Sequence, residues 1–121
     1  MLAASLALML AASAPSAAEG ARVFQRCFSC HSVDPAEGHV QGPNLAGIVG
    51  RRAGTRPGYS YSPALRRARA GGLVWTEQAL DHFLADPEAM IPGTEMSMPP
   101  LRKPRDRQAV IRFLQTTASP R

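Results

Sequence analysis

Cysteine is almost missing from this chain. Its 121 residues include two, Cys27 and Cys30, too few for a disulfide-dense scaffold. No run of 18 strongly apolar residues occurs, which excludes a multi-span membrane protein. No strand-length stretch alternates apolar with polar residues, and neither an internal repeat nor a second domain is visible. Aromatic residues make up 6% of the chain, and lysine occurs once, at Lys103. Eleven prolines and ten glycines leave little room for long regular elements. At this length the chain is one domain at most.

What is present is unevenly distributed. Residues 1–18 carry no charged side chain, and every Asp, Glu, Lys and Arg lies from Glu19 onward. Leu2 to Ala12 reads as the apolar core of a secretory signal, and Ser16-Ala17-Ala18 supplies small residues for a cleavage site. An uncleaved membrane anchor is the alternative reading. Cleavage places residues 19–121 in an exported compartment, with a formal charge of +5 because the leader is uncharged.

The remaining chain predicts a small all-α fold of short helices and long loops. Gly20 to His31 can form one helix, with Val23, Phe24 and Cys27 on one face. Residues 34–60 are dense in Gly and Pro and read as loop. Ser62-Pro63 opens a second helix and Gly71 stops it. Thr76 caps a third that runs to Ala85. Asp86-Pro87 ends that helix and starts a short one to Met90. Pro104 opens a last helix to about Thr117, with Val110, Phe113 and Leu114 as its apolar stripe. Helices this short are marginal alone. Something besides helix packing must hold the domain together.

Cys27-Phe28-Ser29-Cys30-His31 is a C-x-x-C-H motif. On one turn of chain, two thiols can add to the vinyl groups on one edge of a porphyrin. The next residue then points its imidazole at the iron. A thioredoxin-like motif lacks its preceding strand here. A zinc site lacks ligands, since only His39 and His82 remain as nitrogen donors. A disulfide across two residues would be strained. For the sixth position of a haem iron, Met90, Met96 and Met98 are the thioethers, and His39 and His82 the imidazoles. Pro92 and Gly93 stiffen the approach to Met96, while Met98 directly precedes Pro99. Local features leave both open.

With C-x-x-C-H, the segments GPNLAGIVGR, GYSYS, LVW and IPGTEM follow in that order. Together they resemble the class I c-type cytochromes, the mitochondrial-type proteins and their small soluble bacterial relatives, over about residues 19 to 117. The resemblance implies the class I cytochrome c fold around one covalent haem c, attached at Cys27 and Cys30. It implies His31 as proximal ligand and Met96 as distal ligand. Pro43 resembles the proline whose carbonyl accepts the proximal imidazole N–H. Arg51, Tyr61, Trp75 and Thr94 resemble the groups that hold the haem propionates. His39 resembles a histidine that ties one loop to another. Gly20 and Phe24 against Phe113 resemble the crossing of the N- and C-terminal helices.

The sequence departs from that pattern in places. Phe83 stands where many relatives have a tyrosine that bonds the ligand sulfur. Leu65 falls near a position often polar, and the stretch from Tyr61 to Trp75 is longer by about three residues than in the mitochondrial proteins. Around the expected haem edge Glu88, Ala89 and Glu95 replace lysines, with Arg26, Arg102 and Lys103 as the basic residues nearby.

The function implied is a one-electron carrier, not an enzyme, in the periplasm. It would be monomeric, without stable membrane insertion after cleavage and without nucleic-acid binding. Its partners would be redox proteins, such as a membrane quinol–cytochrome c oxidoreductase, a terminal oxidase or a dehydrogenase. Two alternatives stand beside it: a dedicated electron-accepting subunit of a periplasmic dehydrogenase, and a ligand-binding or peroxidase-type haem protein. Arg51, Arg52, Arg56, Arg66, Arg67 and Arg69 lie within 19 acid-free residues. That run reads as a solvated face or as a docking surface for an acidic partner.

Overall fold

Short capped helices and long loops are what the computed structural model shows for residues 13–118, the residues it describes. Five helices follow in order: α1 Ala17–Phe24, α2 Pro63–Ala70, α3 Glu77–Ala85, α4 Pro87–Met90 and α5 Pro104–Gln115. The apolar stretch Leu2 to Ala12, read as a signal core, lies outside the described residues. No strand occurs among the described residues, only an antiparallel bridge between Arg52 and Val74.

The caps follow local chemistry. Ser62 Oγ accepts from the Leu65 N–H at 3.2 Å, Thr76 Oγ1 from Ala79 at 3.1 Å and Asp86 Oδ1 from Ala89 at 3.2 Å. Each satisfies an N–H that has no partner inside its own helix. Gly71 ends α2 in right-handed geometry, and the left-handed residue is the next one, Gly72, at φ 80°. α5 stops at Gln115, short of Thr117. The hydroxyls of Thr116 and Thr117 turn back onto the Phe113 and Leu114 carbonyls, both at 2.6 Å.

α1 departs from the expected Gly20–His31 helix at both ends. It begins at Ala17, capped by Ser16, whose Oγ accepts from Glu19 N–H at 3.1 Å. It ends at Phe24, because the chain tightens into turns closed by shorter-range bonds. Cys27 N–H reaches the Phe24 carbonyl at 2.7 Å, and Cys30 N–H the Cys27 carbonyl at 3.0 Å. Longer-range bonds persist beside these, from Phe28 N–H to the Phe24 carbonyl at 3.1 Å and from His31 N–H to the Cys27 carbonyl at 3.0 Å; Cys27 is buried and Cys30 half-buried.

α1 crosses α5 at near backbone contact. A Cβ on Gly20 would lie 1.9 Å from the Ala109 carbonyl oxygen, so only hydrogen fits there. Beside the crossing, the Phe24 and Phe113 rings sit with centroids 5.3 Å apart. α3 packs on α5 next to an ion pair, Arg107 Nε to Asp81 Oδ1 at 2.7 Å. Arg107 also donates to the Leu101 carbonyl at 2.8 Å, which fixes the chain entering α5. Phe24, Trp75, Phe83, Leu101, Val110 and Leu114 belong to one continuous buried cluster. The core therefore joins the helix crossing to the loops that carry the haem-site candidates.

Candidate haem site

The Cys27–His31 turn is held against the loop of residues 42–45 by main-chain bonds. Gly42 N–H donates to the Cys30 carbonyl at 2.7 Å, and Leu45 N–H to the Ser32 carbonyl at 2.8 Å. This pairing places the Pro43 carbonyl 2.7 Å from His31 Nδ1. A carbonyl can only accept, so Nδ1 carries the proton and Nε2 keeps its lone pair. Burial holds the imidazole below its usual protonation range, against the opposing pull of the Pro43 bond. A neutral, oriented imidazole with one free nitrogen is the form that binds a metal.

Gly42 carries no mark in the sequence that sets it apart from the other glycines, yet the geometry needs it. A Cβ there would meet His31 Cε1 at 2.3 Å. The G-P-N-L segment contained it, but spacing alone does not say what the glycine faces. Asn44, 1% exposed, anchors the same loop. Its Nδ2 donates to the Asp34 and Glu37 carbonyls at 2.8 and 3.1 Å, and its Oδ1 accepts from Ala46 N–H at 2.9 Å. His39 does tie two loops together. Its Nδ1 accepts from Asn44 N–H at 3.0 Å and its Nε2 donates to the Pro57 carbonyl at 2.8 Å.

No disulfide joins Cys27 and Cys30, which leaves both sulfurs available for covalent attachment. Burial raises the Cys27 thiol above its usual range, with Arg26 pulling the other way. Cys30 Sγ reaches Gln41 Oε1 at 3.4 Å. Among the described residues no three His, Cys, Asp or Glu side chains gather as a metal-binding group. His82 is exposed on α3.

Arg51 and Trp75 are brought together by main-chain bonds. Trp75 N–H donates to the Arg51 carbonyl at 2.8 Å, and Gly50 N–H to the Trp75 carbonyl at 2.8 Å. The Arg51 side chain turns to Thr55, with Nε 3.3 Å from its hydroxyl. Tyr61 is half-buried and its hydroxyl accepts from Arg56 N–H at 3.2 Å. Thr94 Oγ1 accepts from Met96 N–H at 3.3 Å. The Tyr61 and Thr94 hydroxyl protons and the Trp75 indole N–H have no acceptor among the described residues. No buried side-chain N or O atom among the described residues lacks a partner, so these donors are accessible rather than stranded, and a set of free donors of this kind fits an anionic group such as a haem carboxylate.

Met96 and Met98 are both half-buried against the core, as is Met90. Leu65 packs there too, and Phe83 lies against Trp75 with ring centroids 5.1 Å apart. The arginine run divides. Arg52, Arg66, Arg67 and Arg69 are exposed, Arg51 is half-buried and Arg56 is buried. In the sequence Arg56 is indistinguishable from the other arginines of the run.

A family model described as Cytochrome c matches residues 17–118. This chain belongs to the cytochrome c family. Cytochrome c of Sesamum indicum is 44% identical over 97 residues, covering 79% of this chain and 85% of that protein. Cytochrome c2 of Rhodomicrobium vannielii is 42% identical over 113 residues, covering 91% and 88%. The structure of cytochrome cH from Methylobacterium extorquens superposes with a TM-score of 0.77 at 37% identity, covering 84% of this chain and 99% of that one. The fold is therefore the class I cytochrome c fold, and the cofactor is one covalently bound haem c. As a cytochrome c the chain is a monohaem electron carrier with redox proteins as partners. No helix among its described residues is long and apolar enough to cross a membrane.

Proposed function

We propose that this cytochrome c is an exported, periplasmic one-electron shuttle whose iron is ligated by His31 and Met96. The observation that carries the reading is the His31–Pro43 bond at 2.7 Å, closed behind by Gly42. It fixes one imidazole nitrogen as donor and leaves the other for a metal, in one orientation. Bound haem supplies an iron that takes up and returns one electron.

The chain's own residues do the rest. Cys27 and Cys30 make the attachment permanent. Arg51, Tyr61, Trp75 and Thr94 hold the propionates through the donors that otherwise lack acceptors. The Met96 thioether would supply the second protein ligand to the iron, from a loop stiffened by Pro92 and Gly93. A neutral thioether in a mostly apolar shell favours the ferrous state and a fairly positive potential. A rigid shell with an unchanged ligand set keeps reorganisation small, which is what fast transfer needs.

The uncharged stretch of residues 1–18 supports export, with removal of a leader ending near Ala18. Partners would be a membrane quinol–cytochrome c oxidoreductase or a dehydrogenase as electron donor and a terminal oxidase as acceptor. The haem-edge region is mixed in charge: Arg26, Arg102 and Lys103 are exposed beside exposed Glu88 and Glu95. Docking there would be brief and modestly salt-dependent.

The test is an optical spectrum of the ferric protein. A methionine–iron charge-transfer band at the red end of the visible range is expected. It should vanish in Met96→Ala and survive in Met98→Ala. The reverse pattern would overturn the ligand assignment.

A further inference from the structure

We infer that Arg56 is a second guanidinium of the propionate cradle, supplying positive charge to the haem carboxylates alongside Arg51. The inference rests on the reading of Arg51, Tyr61 and Trp75 as that cradle.

Arg56 is 9% exposed, a rare state for a charged side chain. Its one hydrogen bond from the guanidinium runs from NH1 to the Ala46 carbonyl at 2.9 Å. A guanidinium offers five N–H donors, and one neutral carbonyl does not balance its charge. Among the described residues no carboxylate lies within 4.0 Å of it: the ion pairs there join Arg26 to Asp106, Arg105 to Glu19 and Arg107 to Asp81. The sequence offers no local help, since residues 51–69 contain no Asp or Glu.

The charged side chains lining the depression that holds Arg56 are all arginines. Arg51 repels it, and burial and that repulsion together lower its pKa. Arg66 and Arg69 of α2 line the same depression as Arg56, with Tyr59 and Tyr61. His39 approaches on the loop beside it, donating to the Pro57 carbonyl. Glu95 exerts its charge on the Tyr59 hydroxyl, and no carboxylate contributes to Arg56. Buried cations are kept only where an anion compensates them. The cofactor brings the missing anions, its two propionates.

The backbone of Arg56 points the same way. Its N–H bonds the Tyr61 oxygen at 3.2 Å and so leaves the Tyr61 proton for an acceptor on the other side. One residue therefore orients a cradle hydroxyl with its main chain and adds charge with its side chain. A residue that merely ties the loop to Ala46 would need a donor, not a charge. This difference makes the assignment testable.

The experiment is potentiometric titration of the haem-loaded protein from pH 5 to 9, for wild type, Arg56→Gln, Arg56→Lys and Arg51→Gln. Gln keeps an amide donor for the Ala46 carbonyl and removes the charge; Lys keeps the charge. In Arg56→Gln a propionate should bind its proton about tenfold more tightly, a shift of about one pH unit. The fall of potential with rising pH should move up by that unit, and above it the potential should lie below wild type. Arg56→Lys should stay close to wild type. An Arg56→Gln profile superposing on wild type, with Arg51→Gln shifted, would overturn the inference and leave the cradle intact. If neither glutamine variant moved the profile, the cradle reading would fall with it.

Discussion

Replacing Gly20 by alanine adds one methyl group where the structure has no room. The new Cβ would sit 1.9 Å from the Ala109 carbonyl oxygen and 2.6 Å from Phe113 Cβ. Ordinary contact begins near 3.4 Å, so α1 must retreat by about 1.5 Å. The obstacle is α5 backbone, which no change of rotamer relieves. Overpacking of this kind costs about 1–3 kcal/mol. Opening the Phe24–Phe113 contact loses about 0.5–1.5 kcal/mol more. Against this, alanine regains about 0.5–1 kcal/mol of helix propensity over glycine. The net is a loss of about 0.5–4 kcal/mol, centred near about 2 kcal/mol. For a domain of this size the central value lowers the melting temperature by about 10 °C. Thermal unfolding of the haem-loaded protein, followed by far-ultraviolet circular dichroism, measures it. Gly38→Ala is the control, because nothing lies within 4 Å of its Cβ and its φ is not positive. It should match wild type or gain about 0.4–1 kcal/mol. A Gly20→Ala protein that melts with wild type would refute the close-approach argument.

Gly42→Ala pushes a methyl group into the His31 ring at 2.3 Å; expected are a lower yield of haem-loaded protein and a changed potential, with Gly38→Ala again unaffected. Asn44→Ala strips three hydrogen bonds from a buried loop and should cost about 2–4 kcal/mol in urea unfolding. The Tyr61 phenol is held above its ordinary value of 10.0 by burial. Because the folded form resists ionisation, stability is constant below about pH 10 and falls as pH rises beyond it. In Tyr61→Phe that fall should be shallower; an equal slope in both proteins would contradict the assignment.

Much of this protein was readable in its sequence because the signals are local. Ser62, Thr76 and Asp86 cap helices with their own side chains, so a few neighbouring residues decide each start. The C-x-x-C-H motif is equally local, and the order of the later segments added the family. What escaped is what distant contacts decide. Residues 25–31 look helical by pattern, yet the pairing of Gly42 and Leu45 with Cys30 and Ser32 accompanies a tighter turn. The bridge between Arg52 and Val74 joins segments too short to announce a strand. Gly42 is one glycine among ten until the His31 ring is beside it. Arg56 is spelled like its exposed neighbours, and only the fold separates the buried guanidinium from the solvated ones. Met96 and Met98 remain alike in burial, so the choice between them rests on the family's loop and on experiment.

A shuttle of this kind keeps one haem and the same two ligands in both oxidation states. The most direct test is a potentiometric titration of the purified protein run in both directions. One single-electron wave is expected, with reductive and oxidative traces superposing. Hysteresis between the traces, or a second wave, would show that the ligands change with the electron and would contradict the account.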